Sequence, residues 1–222
     1  MSTATSLGSV QITHFGHSCV LLSTGSARLL FDPGTYSNGF ETVTGLDAIL
    51  ITHQHPDHLD GERLPALAKA NPGAALVCDE DSTPELAKLG LEPTSVARPG
   101  DTLTFGGTAI TVVGGRHATI HQDLPMPANA GYIVDHGAFY HPGDALFVPE
   151  QRIDVLGLPM SAPWLKTGEM IDFLRGVGPR VAVPIHEALL SELGFRGQQN
   201  WISRLAPDAE FRQLKRAEPI DL

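Results

Sequence analysis

Cysteine is nearly missing. Cys19 and Cys78 are the only two in 222 residues, each inside an apolar run, so no disulfide framework holds this chain and a reducing compartment is expected. Positive charge is scarce as well: fifteen Lys and Arg stand against twenty-five Asp and Glu, a formal net charge of −10 with histidine neutral. Such a surface repels polyphosphate, which argues against nucleic acid as a partner. No apolar run approaches the roughly 20 residues that span a bilayer. The first basic residue is Arg28, so residues 1–6 lack the positive start of a signal peptide. A cytoplasmic protein with no membrane partner is the expectation. Common catalytic motifs are absent too. There is no P-loop and no G-x-G-x-x-G; Gly16-His17-Ser18 fails as a nucleophile elbow at Val20, and His186-Glu187 fails as H-E-x-x-H at Leu190.

What is present reads as one globular domain over residues 1–222, with 42% hydrophobic and 18% charged residues. Short β-branched or leucine-rich stretches at 10–15, 19–23 and 27–31 predict a meander-like opening. Residues 47–52 form a continuous apolar run, a strand ending at His53, and leucines and alanines at helical spacing predict a helix over 59–70. A strand at 74–78 leads to a short helix opened by Ser82-Thr83-Pro84-Glu85. Antiparallel strands follow at 103–105, 108–113, 131–134 and 138–141, with Gly106-Gly107 as a hairpin turn. Then come a strand at 155–158, a helix at 167–177 and a buried strand at 180–185 ending at His186. Meanders followed by strand-helix units, twice over, predict an α/β (α+β) fold of two sheets packed face to face with helices outside.

Of the ten histidines, most follow strand ends. Thr52-His53-Gln54-His55-Pro56-Asp57-His58 places four metal-capable side chains in six positions where a strand gives way to a loop. Residues two apart in extended chain face the same way, so His53 and His55 can chelate one cation together. Asp57 and His58 fall on the following turn, project elsewhere and can serve a second. A solvated loop also collects His and Asp, but a strict H-x-H-x-D-H directly after an apolar strand is a far more specific pattern.

This motif resembles the signature of the metallo-β-lactamase-fold hydrolases, and the resemblance runs along the whole chain. Asp32 in Phe31-Asp32-Pro33, His117 after Gly114-Gly115-Arg116, Asp144 in His141-Pro142-Gly143-Asp144, and His186 after Val183-Pro184-Ile185 match the family's remaining elements in order. The resemblance implies a four-layer αββα sandwich. It implies that His53, His55 and His117 hold one divalent metal, that Asp57, His58 and His186 hold a second, and that Asp144 bridges both, with Asp57 and Asp144 essential to catalysis. Zinc comes first, although nitrogen and oxygen ligands also suit manganese or iron. Hydroxide formed near neutral pH would attack a carbonyl or phosphoryl centre. Asp32 would orient a ligand histidine by accepting its free N–H, while Asp32-Pro33-Gly34 is also a good turn on its own.

The segments Thr13-His14-Phe15-Gly16-His17-Ser18-Cys19 and Tyr140-His141-Pro142-Gly143-Asp144 are similar to the branch containing ascorbate-6-phosphate lactonase and N-acyl-phosphatidylethanolamine phospholipase D. That similarity makes His17 a candidate for contact with substrate or with a ligand. His121, four residues after His117, and His141, three before Asp144, are candidates to line the same cavity and protonate a leaving group. Trp164 and Lys166 are candidates for an apolar wall and a cation facing an anionic group. Where antibiotic-resistance zinc β-lactamases carry a cysteine ligand, this chain has Asp144. Flavo-diiron relatives carry a glutamate where His55 stands and a flavodoxin domain for which there is no room. The expected activity is hydrolysis of a small ester, lactone or phosphodiester, the last two preferred. A thioester hydrolase resembling glyoxalase II and a non-catalytic metal-binding or redox protein are the alternatives, and homo-oligomerisation stays open.

Overall fold

Alternate residues of a strand point to opposite faces, and here both faces are apolar, so each sheet needs cover on two sides. The computed structural model describes residues 10–222; residues 1–9, which carry the expectation about the N-terminal start, lie outside the described residues. Strands β1 (Gln11–Gly16), β2 (Cys19–Ser23), β3 (Arg28–Phe31), β4 (Ala48–Leu50), β5 (Ala75–Cys78) and β6 (Ser95–Val96) form one sheet in sequence order. Strands β7 (Thr102–Phe105), β8 (Thr108–Arg116), β9 (Ala128–Val134), β10 (Phe139–His141), β11 (Val155–Pro159), β12 (Val181–Ile185) and β13 (Glu210–Phe211) form the other, and β14 (Ile220–Asp221) returns to pair with β1.

Helices α1 (Leu64–Ala70) and α2 (Thr83–Lys88) cover the first sheet, and α3 (Thr167–Val177) and α4 (Glu192–Leu205) cover the second. Leu29 and Phe31 of β3 and Leu50 of β4 meet Tyr132, Val134 and Val183 between the sheets. Leu30, Ile49 and Leu76 turn the other way, onto Leu64, Leu67 and Leu86. Ile133, Leu156 and Leu158 likewise turn outward onto Met170, Phe173 and Ile202. Three apolar layers between four structural ones make the αββα sandwich, and each fully buried leucine or phenylalanine contributes about 1.5–3 kcal/mol. No helix among the described residues is long and apolar enough to cross a membrane.

Strand direction gathers the chain's chemistry at one edge. β1 and β3 both run antiparallel to β2, and β3, β4 and β5 are parallel, so β1, β3 and β4 end on the same side. β8 and β10 run antiparallel to β9, and β10, β11 and β12 are parallel, so β8, β10 and β12 also share one end. The two edges are tied across the sandwich. Ala130 N donates to Thr52 O at 2.8 Å and His186 N to His17 O at 3.1 Å, Tyr132 Oη donates to Ile51 O at 2.8 Å, and His141 Nε2 donates to Ser18 O at 2.9 Å.

Several boundaries differ from the sequence expectation. The strand expected to reach His53 leaves its ladder at Leu50. The helix expected from residue 59 starts at Leu64, because Asp60 Oδ1 accepts from the N–H groups of Glu62 and Arg63, at 2.9 and 3.0 Å, and holds that segment as a turn. Helix α4 was not expected, since Gly194 and Gly197 interrupt its pattern; it is opened by Ser191, whose Oγ accepts from Gly194 N at 3.1 Å. The two-residue strand segments β6, β13 and β14 are too short to register as periodicity. Gly106 and Gly107 do form the two-residue hairpin, with φ of 54° and 90° and Phe105 opposite Thr108.

Candidate metal centre

The candidate ligands converge where these strands end. His53, His55, His117 and Asp144 each offer an atom within 4.8 Å of one another, and so do His17, Asp57, His58 and His186. The residues of the H-x-H-x-D-H run are split between the two groups as the change from extended chain to turn requires. Gly34 makes room for that turn: a Cβ there would fall 1.8 Å from Asp57 O. Gly143, with φ of 61°, brings the Asp144 loop equally close, since a Cβ would lie 2.3 Å from Asn129 Oδ1 and 2.7 Å from Thr52 Cβ. Asn129 holds this loop from both ends, donating to Pro142 O at 2.9 Å and accepting from Asp144 N at 2.9 Å. His17, Asp32 and His186 all sit in the left-handed backbone region, with φ of 51°, 43° and 55°, a conformation that costs a non-glycine residue energy and collects at functional sites.

Three of the imidazoles are each fixed by a hydrogen bond at Nδ1 that frees Nε2. His58 Nδ1 donates to Asp32 Oδ2 at 2.6 Å, and Asp32 is itself held by Thr52 N at 2.8 Å and Thr52 Oγ1 at 2.7 Å. His117 Nδ1 donates to Ala118 O at 2.5 Å and His186 Nδ1 to Ser161 O at 2.6 Å. His53 Nδ1 lies 3.1 Å from Thr52 Oγ1, and its Nε2 lies 3.0 Å from His55 Nδ1. As a result the buried Nε2 atoms of His58, His117 and His186, and Oδ1 of Asp144, have no hydrogen-bond partner among the described residues. Buried polar atoms without partners are costly, and four of them aimed at one region are what metal ligation satisfies.

Charge points the same way. Burial pushes the Asp144 carboxyl up, but the positive charge that His58 and His186 can carry outweighs burial and holds it well below the usual range. Burial likewise pushes Asp57 up, and the hydrogen bond from His17, with His186 Nε2 3.5 Å away, brings it below its ordinary value. Burial and the neighbouring His58 keep His53 neutral, and burial and His117 do the same for His55, the form in which imidazole binds metal. Asp32 and Asp144, both buried, and the half-buried Asp57 together demand cationic compensation, and an all-nitrogen-and-oxygen donor set fits divalent zinc, manganese or iron.

The remaining candidates divide. His17 joins the second group, its Nε2 donating to Asp57 Oδ2 at 3.0 Å. Trp164 stands beside both groups, its Nε1 donating to Asp144 Oδ2 at 3.0 Å and its ring 6.0 Å from those of His117 and His186. His121 is exposed at the rim of a cavity that reaches His55 and His117. His141 is fully buried and stacked on Phe31, with Nε2 on Ser18 O and Nδ1 accepting from Gly143 N, so it braces the loop that carries Asp144 and does not open on the cavity. With both nitrogens engaged by backbone it has no proton to deliver. Lys166 joins neither cluster, and its side chain, 85% exposed, pairs with Glu169 at the start of α3. Sequence reasoning missed Asn129 and the carbonyls of Ala118 and Ser161. It also missed Glu187, whose Oε1 accepts from His17 N at 3.1 Å; its place directly after a strand-end histidine was the one available signal.

A family model described as "Beta-lactamase superfamily domain" matches residues 11–186. Protein Rv0786c of Mycobacterium tuberculosis is 52% identical over 186 residues, covering 82% of this chain and 86% of its own length. A UPF0173 metal-dependent hydrolase of Archaeoglobus fulgidus is 32% identical over 196 residues, covering 80% of this chain and 83% of its own. The structure of Igni18, a novel metallo hydrolase from Ignicoccus hospitalis, superposes with a TM-score of 0.73 at 20% identity over 96% of this chain and 98% of that one, a likeness of fold. Matched over most of its length and carrying two His/Asp clusters fit for metal, the chain belongs to the β-lactamase superfamily as a metal-dependent hydrolase of the metallo-β-lactamase fold.

Proposed function

We propose that the enzyme is dinuclear: His53, His55 and His117 hold one divalent cation, Asp57, His58 and His186 hold the other, and Asp144 bridges them. The observation that carries this reading is the reach of one carboxylate. Asp144 Oδ2 lies 3.3 Å from His117 Nε2 and 3.2 Å from His186 Nε2, while Oδ1 lies 3.1 Å from His58 Nε2. When bound, two such cations supply Lewis acidity and an acidified water at neutral pH.

The chain's own residues orient and protect that chemistry. Asp32, Ala118 O and Ser161 O fix three imidazole tautomers so that each Nε2 lone pair faces inward. Trp164 holds the orientation of Asp144 through its indole N–H and, being buried, excludes water from that side. Asp57 is the most exposed of the three carboxylates; held ionised by His17, it accepts a hydrogen bond from an incoming water and aims it.

The substrate is a small ester, lactone or phosphodiester, with the Gly16-His17-Ser18 segment supporting kinship to the lactonase-containing branch; neither nucleic acid nor membrane is a partner. Elemental analysis of the purified protein tests this, alongside hydrolysis of bis-p-nitrophenyl phosphate and a panel of lactones before and after chelation. About two metal equivalents and chelator-sensitive turnover are expected. A single equivalent at full activity, or turnover that survives chelation, overturns the dinuclear reading.

A further inference from the structure

The loop joining β8 to β9 exposes more apolar surface than a solvated connection needs. Ile120, Leu124 and Met126 are 41%, 55% and 41% exposed within seven residues, and grouped exposure of this kind marks a binding surface. With Pro125 and Pro127 they wall a cavity of about 300 Å³, the lower end of the usual size for small-molecule sites. Its inner end is formed by His55 and His117, two residues of the metal centre.

The loop is braced rather than loose. His117 N donates to Pro127 O at 3.1 Å, Ala118 N to Asp144 O at 2.8 Å and Leu124 N to His121 O at 3.0 Å, and Thr119 Oγ1 donates to Met126 Sδ at 3.1 Å. Among the described residues, no lysine, arginine, aspartate or glutamate lines the cavity. The nearest guanidinium in sequence, Arg116, donates instead to the Met126 carbonyl at 3.4 Å. A charged group placed in the cavity itself would meet no cationic side chain among the described residues, whereas a hydrocarbon group would lose only water.

We propose that this cavity is a substrate subsite for an uncharged apolar group, the acyl or alkyl portion attached to the bond that the metal centre cleaves. The inference rests on the hydrolase reading above and deepens it: the scissile bond carries an apolar group, and a carboxylic ester or lactone is the bond class assigned for the test. His121 and Gln122 at the rim leave the outer end polar, so the subsite takes a chain or ring of limited length.

The test uses metal-loaded protein and two readouts. Calorimetry with acetate, butyrate, hexanoate and octanoate measures binding, and the p-nitrophenyl esters of the same acids measure turnover. Each methylene that enters the cavity is expected to tighten binding, and to raise kcat/KM, by about fourfold until the cavity is full. The double variant Ile120→Ser/Leu124→Ser should flatten both series, whereas Leu193→Ser, on α4 and 74% exposed, should keep the wild-type slope. A flat series in the wild type, or an undiminished slope in the double variant, overturns the subsite. A steep binding series in an enzyme that cleaves none of the esters or lactones supports the subsite and refutes the assigned bond class instead, so the two failures are distinguishable.

Discussion

Replacing Asp32 with asparagine isolates one proton. Asparagine is among the non-glycine residues most tolerant of left-handed backbone, so the φ of 43° at this position is accommodated, and its carbonyl can still accept from Thr52 N, 2.8 Å away. The amide nitrogen, however, takes the place of the oxygen that lies 2.6 Å from His58 Nδ1. A donor now faces a donor. The imidazole relieves the conflict by moving its proton to Nε2, the atom that faces Asp144 Oδ1 at 3.1 Å, and a protonated Nε2 cannot bind a cation. Changes of this kind around metal ligands cost about 10–100-fold in affinity, or about 1.4–2.7 kcal/mol. Asp32→Asn should therefore lose most of one metal equivalent with little loss of thermal stability. Asp32→Ala, by contrast, strands three buried donors at about 1–3 kcal/mol each and should unfold at markedly lower temperature. Elemental analysis, calorimetric metal titration and thermal melts separate these outcomes. An asparagine variant that holds both equivalents with wild-type affinity would refute the tautomer argument.

Three other perturbations probe the rest of the site. Asp57→Ala should abolish most turnover while about one metal equivalent remains, and Asp144→Ala should weaken both; wild-type rate and metal content in either would contradict the roles proposed. Gly143→Ala places a methyl group 2.3 Å from Asn129 Oδ1 at a φ of 61° and should cost about 2–4 kcal/mol, read as a shifted urea midpoint. In the metal-free protein, burial alone would lower the pKa of His186, but the charges of Asp144 and Asp57, 3.2 and 3.5 Å from its Nε2, raise it to about 9. Stability from this raised value is full below about pH 6.5 and is lost as pH climbs through 9, a fall of about 3 kcal/mol. Metal affinity has the opposite slope, because ligand protons leave as pH rises. Urea titrations at pH 6.5 and 9, with and without chelator, should show the two trends diverge, and parallel trends would refute the assignment.

Much of the site was legible in the sequence because metal chemistry restricts side chains to few types at fixed local spacing. His53, His55, Asp57 and His58 announce themselves within six positions, and His117, Asp144 and His186 each follow a strand whose periodicity is clear. What stayed hidden depends on distance in the chain. His17 meets Asp57 forty positions away, and Asn129 meets Asp144 across a strand, contacts that only the ordering of strands creates. The restraints on His117 and His186 are backbone carbonyls, which every residue has and which therefore leave no trace. His141 looked chemical because it stands near Asp144, yet it serves the sandwich by bonding to Ser18. In the fold, meanders followed by strand-helix units, twice over, pointed to two sheets with helices outside, whereas α4 was masked by glycines that its serine cap and packing against the sheet overcome.

The four hydrogen bonds that tie the two sheet edges together, at Thr52, Ile51, His17 and Ser18, run between groups that are not metal donors. Ligand positions are thus set by the sandwich and not by the ion. One divalent cation could leave and another take its place without the edges separating, so the enzyme's working metal would follow whichever ion its surroundings supply, and exchange of one ion for another would not require the sandwich to unfold.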